Sequence, residues 1–172
     1  MDEAMQPTAI DLETREAFGA LLERHRGILF KVANSWSRLP EDRADLVQEI
    51  AMQLWRAWPQ YDPARSFSTW MYRIALNVAI SFGRGDGRRR RHLVPLDDTH
   101  DIADHNAADH ETEQQVELLQ RFIRAQKPLD RALLILYLDE RPQREIADIL
   151  GVSEANVSTK IGRLKQRIRN EL

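Results

Sequence analysis

The chain has 172 residues, 42% of them hydrophobic, a formal net charge of -2 and no cysteine. That much apolar material excludes wholesale disorder, and the length allows one domain or two small ones. Without cysteine there is neither a disulfide nor a thiolate metal site, which fits a reducing compartment, and the net charge alone points to no nucleic-acid partner.

The first ten residues, MDEAMQPTAI, are acidic and lack an apolar h-region, so residues 1–10 are read as a tail and not as a secretory signal. No apolar run approaches the ~18 residues of a membrane span. The expectation is a soluble, cytoplasmic protein.

From Asp11 onward the apolar spacing is helical. Leu12, Phe18, Leu21, Leu22, Ile28 and Leu29 recur at intervals of three and four. A polar break over residues 37–42 precedes a second pattern of Leu46, Val47, Ile50, Leu54 and Trp55, with Pro40 placed to begin a helix and Pro59 to stop it. After the loop 60–65, Ser66 or Ser68 is a candidate N-cap for a third helix carrying Phe67, Trp70, Met71, Ile74, Ala75, Val78 and Phe82. Glycines at 83, 85 and 87 are expected to end it.

Composition then changes. Arg88 to Arg91 are four consecutive arginines, and after His92 no Lys or Arg occurs until Arg121, while acidic residues accumulate. Residues 88–112 read as a mobile acidic linker between two small domains, 11–87 and 113–172. His100, His105 and His110 lie five apart in it, but with no framework to order ligands the expectation is that no metal binds. Beyond the linker, Val116, Leu118, Leu119, Phe122 and Ile123 lie on one helix, and Asp130 is a candidate cap for another over 131–140. Neither an internal repeat nor a useful alternating pattern is present, so the fold class is all-α.

The end of the chain, REIADILGVSEANVSTKI over residues 144–161, reads as two helices bent around Gly151. Ile146, Ile149 and Leu150 with small Ala147 suit the first helix. Ser153 can cap the second, and Val157, Ile161, Leu164 and Ile168 form its inward stripe. Glu154, Asn156, Ser158, Thr159, Lys160 and Arg163 then face outward, and Arg144 lies on the first helix. Such side chains reach base edges and phosphates in a major groove, and Lys165, Arg167 and Arg169 add phosphate attraction. A solvated αα-hairpin is the bland alternative.

The other half discriminates. The segments DLVQEIAMQLWR (45–56) and FSTWMYRIALNVA (67–79) resemble region 2 of the sigma-70 family of bacterial RNA polymerase initiation factors. The C-terminal half resembles region 4, and the short connector with no third domain is similar to the extracytoplasmic-function (ECF) subgroup. The resemblance covers about residues 15–90 and 113–171. It departs at Gly83 to Gly87, where the family often has a continuous basic helix.

This resemblance implies roles residue by residue. The helix matching 45–56 would dock on the clamp helices of the polymerase beta-prime subunit through Asp45, Gln48, Glu49, Gln53 and Arg56, and the beta flap is a further polymerase partner. Region 2 would melt the minus-ten element and hold a flipped base beside the loop before the third helix. Unstacking costs a few kcal/mol per step, so aromatic replacement contacts are needed. Tyr61, Phe67, Trp70 and Tyr72 are candidates, Trp70 mainly as core, with Ser66 in the loop, Asn77 reading polar edges, and Arg65, Arg73 and Arg84 holding phosphates. Arg88 and Arg89 would track the duplex between promoter elements. Region 4 would read the minus-thirty-five element. An anti-sigma factor, membrane-associated in the family, is an expected partner, and the acidic linker would pass near the polymerase active site. A stand-alone helix-turn-helix regulator would need no polymerase-docking face. An enzyme would need a motif that is missing, such as a P-loop or H-E-x-x-H. No small-molecule substrate and no cofactor are expected.

Overall fold

The computed structural model describes residues 9–89 and 110–172, and every regular element among them is helical. In chain order these are α1 (Ala9–Arg24), α2 (Arg26–Trp36), α3 (Pro40–Ala57), a 3-10 turn (Trp58–Gln60), α4 (Phe67–Arg89), α5 (His110–Ala125), α6 (Pro128–Leu138), α7 (Gln143–Leu150) and α8 (Glu154–Glu171). None of them is long and apolar enough to cross a membrane.

The apolar series from Leu12 to Leu29 is carried by two helices instead of one. The break is at His25, whose backbone N–H donates to the carbonyls of Leu21 and Leu22 at 3.1 and 3.2 Å. Pro40 opens α3 as expected, and the 3-10 turn at Trp58–Gln60 follows it. The expectation that the glycines end α4 is overturned, because the helix runs through them to Arg89. A Cβ on Gly83 would lie 3.3 Å from the Trp36 indole, so this glycine lets α4 pass α2 closely and packing outweighs its weak helix propensity. In α6, Pro128 stands in the first turn and Asp130 lies inside the helix, not at its cap. The body of the acidic linker, with Arg90, Arg91, His100 and His105, lies outside the described residues.

Val32, Leu46, Ile50, Leu54, Met71 and Leu76 fill the space between α2, α3 and α4, while Leu133, Leu136, Ile146, Val157, Ile161 and Leu164 do so between α6, α7 and α8. The halves also touch. α2 lies against α5 and α6, and α4 against α6 and α7. The Arg131 guanidinium sits 5.0 Å from the Trp36 ring, and Arg124 donates to the Asn34 carbonyl at 3.3 Å.

The ends of α6 and α7 repeat one device with different residues. After α6, Arg141 N–H donates to the Leu136 carbonyl and Glu140 N–H to Tyr137; after α7, Val152 N–H donates to Ala147. The residue in the left-handed conformation is Gly151 (φ 67) in one turn and Glu140 (φ 56) in the other. A side chain there costs roughly 1–2 kcal/mol. Gly151→Ala should therefore lower stability by about that amount in urea titration. Glu140→Gly should raise it by less than about 1 kcal/mol, because the more flexible unfolded chain offsets part of the relief.

Candidate nucleic-acid interface

Helix α3 divides its faces as the period requires. Leu46, Ile50 and Leu54 are buried, while Asp45, Gln48 and Arg56 are exposed. Glu49 and Gln53 are half-buried and joined by a 3.1 Å hydrogen bond from the Gln53 amide. Met52 and Trp55 are exposed on the same helix, the latter with its ring edge-on to Phe18 at 5.2 Å. Trp55 belongs to the apolar series that marks this helix, but unlike Leu46, Ile50 and Leu54 it stands exposed. This face combines charges with apolar area.

The loop 61–66 is braced by rings. Trp58 stacks on Tyr61 at 5.2 Å and an interplanar angle of 18°, and both meet Phe67 and Trp70 edge-on or tilted. The Tyr61 hydroxyl donates to the Arg65 carbonyl at 2.8 Å, and Asp62 accepts from the Ala64 N–H at 2.9 Å. Ser66 stands at the start of α4, where its hydroxyl accepts a long 3.5 Å bond from the Thr69 N–H. Arg65 is exposed, Tyr61 and Trp70 are half-buried, and Phe67 is buried at 5% exposure. Phe67 therefore faces the core and presents no ring to an unstacked base.

Along α4, Arg73 and the exposed Asn77 share a face one turn apart. Tyr72, read as a base contact, is fully buried. Arg84, Arg88 and Arg89 lie on the last turns of α4; their side chains lie outside the described residues.

In the C-terminal half, Ser153 accepts from Asn156 N–H at 3.1 Å and caps α8. Glu154, Asn156, Ser158, Thr159 and Arg163 are exposed along α8, as is Arg144 on α7. Lys160 differs, since its ammonium is ion-paired with Asp130 of α6 at 3.1 Å. Part of the basic terminus is structural too: Arg167 donates to the Gln126 side chain at 2.7 Å, and Lys165 sits 5.0 Å from the Tyr137 ring. Arg144 and Arg163 are exposed cations near the exposed polar side chains of α8.

One constellation escaped sequence reasoning. Asp139, just after α6, accepts from Lys31 of α2, from the Tyr72 hydroxyl of α4 at 2.9 Å and from Arg141 at 3.0 Å. Arg141 also donates to the Ser68 hydroxyl at 2.8 Å and to Glu145 at 3.2 Å, and Glu145 accepts from Thr69 at 2.6 Å. Farther along, Arg73 pairs with Asp148 at 3.0 Å. Burial alone would raise the Asp139 pKa, but the bonds from Lys31, Tyr72 and Arg141 outweigh it and hold the carboxyl below its ordinary value. Burial raises Tyr72, and its bond to Asp139 pushes the phenol further the same way. No local motif announces the pairs that join the two halves, whose members stand 67 to 108 positions apart.

Comparison with known proteins assigns both halves. Residues 21–89 match the family described as Sigma-70 region 2, and residues 117–168 the one described as Sigma-70, region 4. Relatives include the ECF RNA polymerase sigma factor SigM of Mycobacterium tuberculosis, 26% identical over 90% of this chain and 76% of its own length. The RNA polymerase sigma factor CnrH of Cupriavidus metallidurans is 27% identical over 90% of this chain and 85% of its own. Among solved structures, CnrH in complex with the cytosolic domain of CnrY matches with a TM-score of 0.65 and 25% identity, covering 91% of this chain and 87% of that one. The fold is also that of the sigma factor RpoE, solved with the anti-sigma factor NepR from Bartonella quintana: TM-score 0.67, 17% identity, 92% of this chain and 95% of that one.

Proposed function

The chain belongs to the sigma-70 family of RNA polymerase sigma factors, in its ECF subgroup, and we propose that it grips a promoter at two points as a non-catalytic, cytoplasmic subunit of the polymerase. In this reading residues 11–87 act as region 2, residues 88–112 as the linker and residues 113–172 as region 4. The exposed side of α3, with Asp45, Gln48 and Arg56 around Met52 and Trp55, docks on the beta-prime clamp helices. Region 4 contacts the beta flap. Tyr61 and Trp70 lend ring surface to melted bases, Asn77 reads an edge, and Arg65 and Arg73 hold phosphates. In region 4, α8 enters the major groove of the minus-thirty-five element with Asn156, Thr159 and Arg163 foremost. An anti-sigma partner is proposed because similar sigma factors were solved with CnrY and NepR.

The observation that carries the reading is an exposed α3 face mixing charge with apolar area, together with a capped helix-turn-helix in one chain; a stand-alone regulator would need only the second. It is tested by adding the protein to core polymerase and a pool of promoter fragments and sequencing transcript starts. Discrete starts that depend on it, and that Asp45→Ala or Asn77→Ala reduces roughly five- to a hundredfold, are expected for lost contacts of about 1–3 kcal/mol. DNA binding without any core-dependent start would reject the reading.

A further inference from the structure

The buried residues of α8 fix which of its sides faces outward. Val157, Ile161 and Leu164 turn toward α6 and α7. At about 100° per residue, the positions within roughly 55° of the opposite direction are then Ala155, Thr159, Gly162, Arg163 and Gln166. All five are exposed. Two of them, Ala155 and Gly162, carry no more than a methyl group, so the helix backbone lies uncovered beside the Arg163 side chain.

Glycine is the poorest residue for a helix interior after proline, and nothing among the described residues calls for it at 162. A Cβ there would meet no atom within 4 Å, and the positive-φ glycine is Gly151. Gly83 admits the Trp36 ring, but no part of the chain plays that role here. Gly19 on α1 is equally open, yet it lies outside every contact proposed above. What sets Gly162 apart is its place on the outward side of the helix assigned to the major groove. That groove is about 12 Å wide and a helix with its side chains about 10–12 Å across, so the fit is close and small facing residues let the helix sit deeper. At the groove floor thymine presents a 5-methyl group, the natural partner of an Ala or Thr methyl.

We propose that Gly162 and Ala155 seat α8 deep in the groove, so that the methyl groups of Ala155 and Thr159 pack on thymine methyls while Arg163 takes a neighbouring guanine. The upstream element this chain selects thus places thymines beside a G·C pair. The proposal rests on the reading of α8 as the groove helix. Gly162 is a positioning residue in it, acting through the depth of the helix, and Thr159 is the residue that discriminates.

The full chain, alone and bound to core polymerase, is used to select from a random-sequence duplex pool. The recovered duplex is remade with deoxyuridine in place of each thymine in turn, which removes only the 5-methyl group. Losing one packed methyl should weaken wild-type binding about fourfold at the one or two thymines concerned. Thr159→Ser keeps the hydroxyl; it should bind the thymine duplex about fourfold more weakly and be indifferent to deoxyuridine at its own position. Gly162→Ala should raise the urea midpoint, as Gly19→Ala does, yet bind the selected duplex roughly tenfold more weakly, while Gly19→Ala binds as wild type. A Gly162→Ala protein that binds as wild type, the recovery of no motif or of one without thymine, or deoxyuridine duplexes bound as tightly as their parent would overturn the proposal. Core-dependent transcript starts are scored separately. If they are absent while the chain alone shows these penalties, the methyl readout stands and the sigma reading falls; if they are present without the penalties, only the methyl readout falls.

Discussion

Replacing Tyr72 by alanine is expected to remove about 3–5 kcal/mol of unfolding free energy, the usual cost of emptying a large buried aromatic site. The side chain is fully buried in α4 of the N-terminal half, the Arg141 guanidinium lies 5.1 Å from its ring, and its hydroxyl is bonded to Asp139 in the other half. Alanine would leave both a cavity and a carboxylate short of a donor. Tyr72→Phe keeps the ring and should cost about 1–3 kcal/mol, the value of a bond to a charged group. Urea titrations of the two variants separate ring from hydroxyl. Acid adds a further readout. The Asp139 carboxyl is held below its ordinary value of about 3.8 in the folded chain. A depressed carboxylate contributes stability that is complete above the unfolded value and is lost as pH falls through the folded one. The inter-half contact is thus fully set at neutral pH, and Asp139→Asn should flatten the fall in stability below about pH 4. Tyr72, raised above 10, acts in the opposite sense, its share being lost only as alkaline pH rises through its folded value.

Elements were legible where their causes are local. Gly151, Ser153 and the Val157, Ile161, Leu164 stripe announced the bend, cap and inward face of α7 and α8, and the structure has Gly151 at φ 67 and Ser153 bonded to Asn156. Pro40 likewise marked the start of α3. What failed depended on partners distant in sequence. Glycines normally stop a helix, but α4 continues because Gly83 lies against Trp36, 47 positions earlier. Aromatics on α4 were candidate stacking surfaces, yet Phe67 and Tyr72 are buried, and only the packing of α2, α3, α6 and α7 decides which side of α4 is covered. Lys160 read as an outward cation because helical period gives direction but not neighbours, and Asp130 proves to be one.

That last distinction separates two basic residues that sequence alone treats alike. Arg163→Ala is expected to weaken binding of the polymerase complex to promoter DNA by roughly ten- to a hundredfold, corresponding to about 1–3 kcal/mol for a direct base contact. Its side chain is exposed on α8, with no side-chain partner among the described residues, so it meets DNA without first breaking a protein contact. Lys160 is half-buried and held by Asp130 at 3.1 Å, with both side chains at most 28% exposed. Its ammonium must leave that carboxylate to reach a phosphate, so Lys160→Ala should change DNA affinity less than about fivefold, as befits a weakened phosphate contact. It should instead lower stability, because a partly buried carboxylate loses its partner. Anisotropy titrations at several salt concentrations, paired with urea unfolding of each variant, check both arms. A Lys160→Ala protein as stable as wild type but as weak on DNA as Arg163→Ala would reverse the assignment, making the Asp130 pair a contact that DNA displaces at little cost.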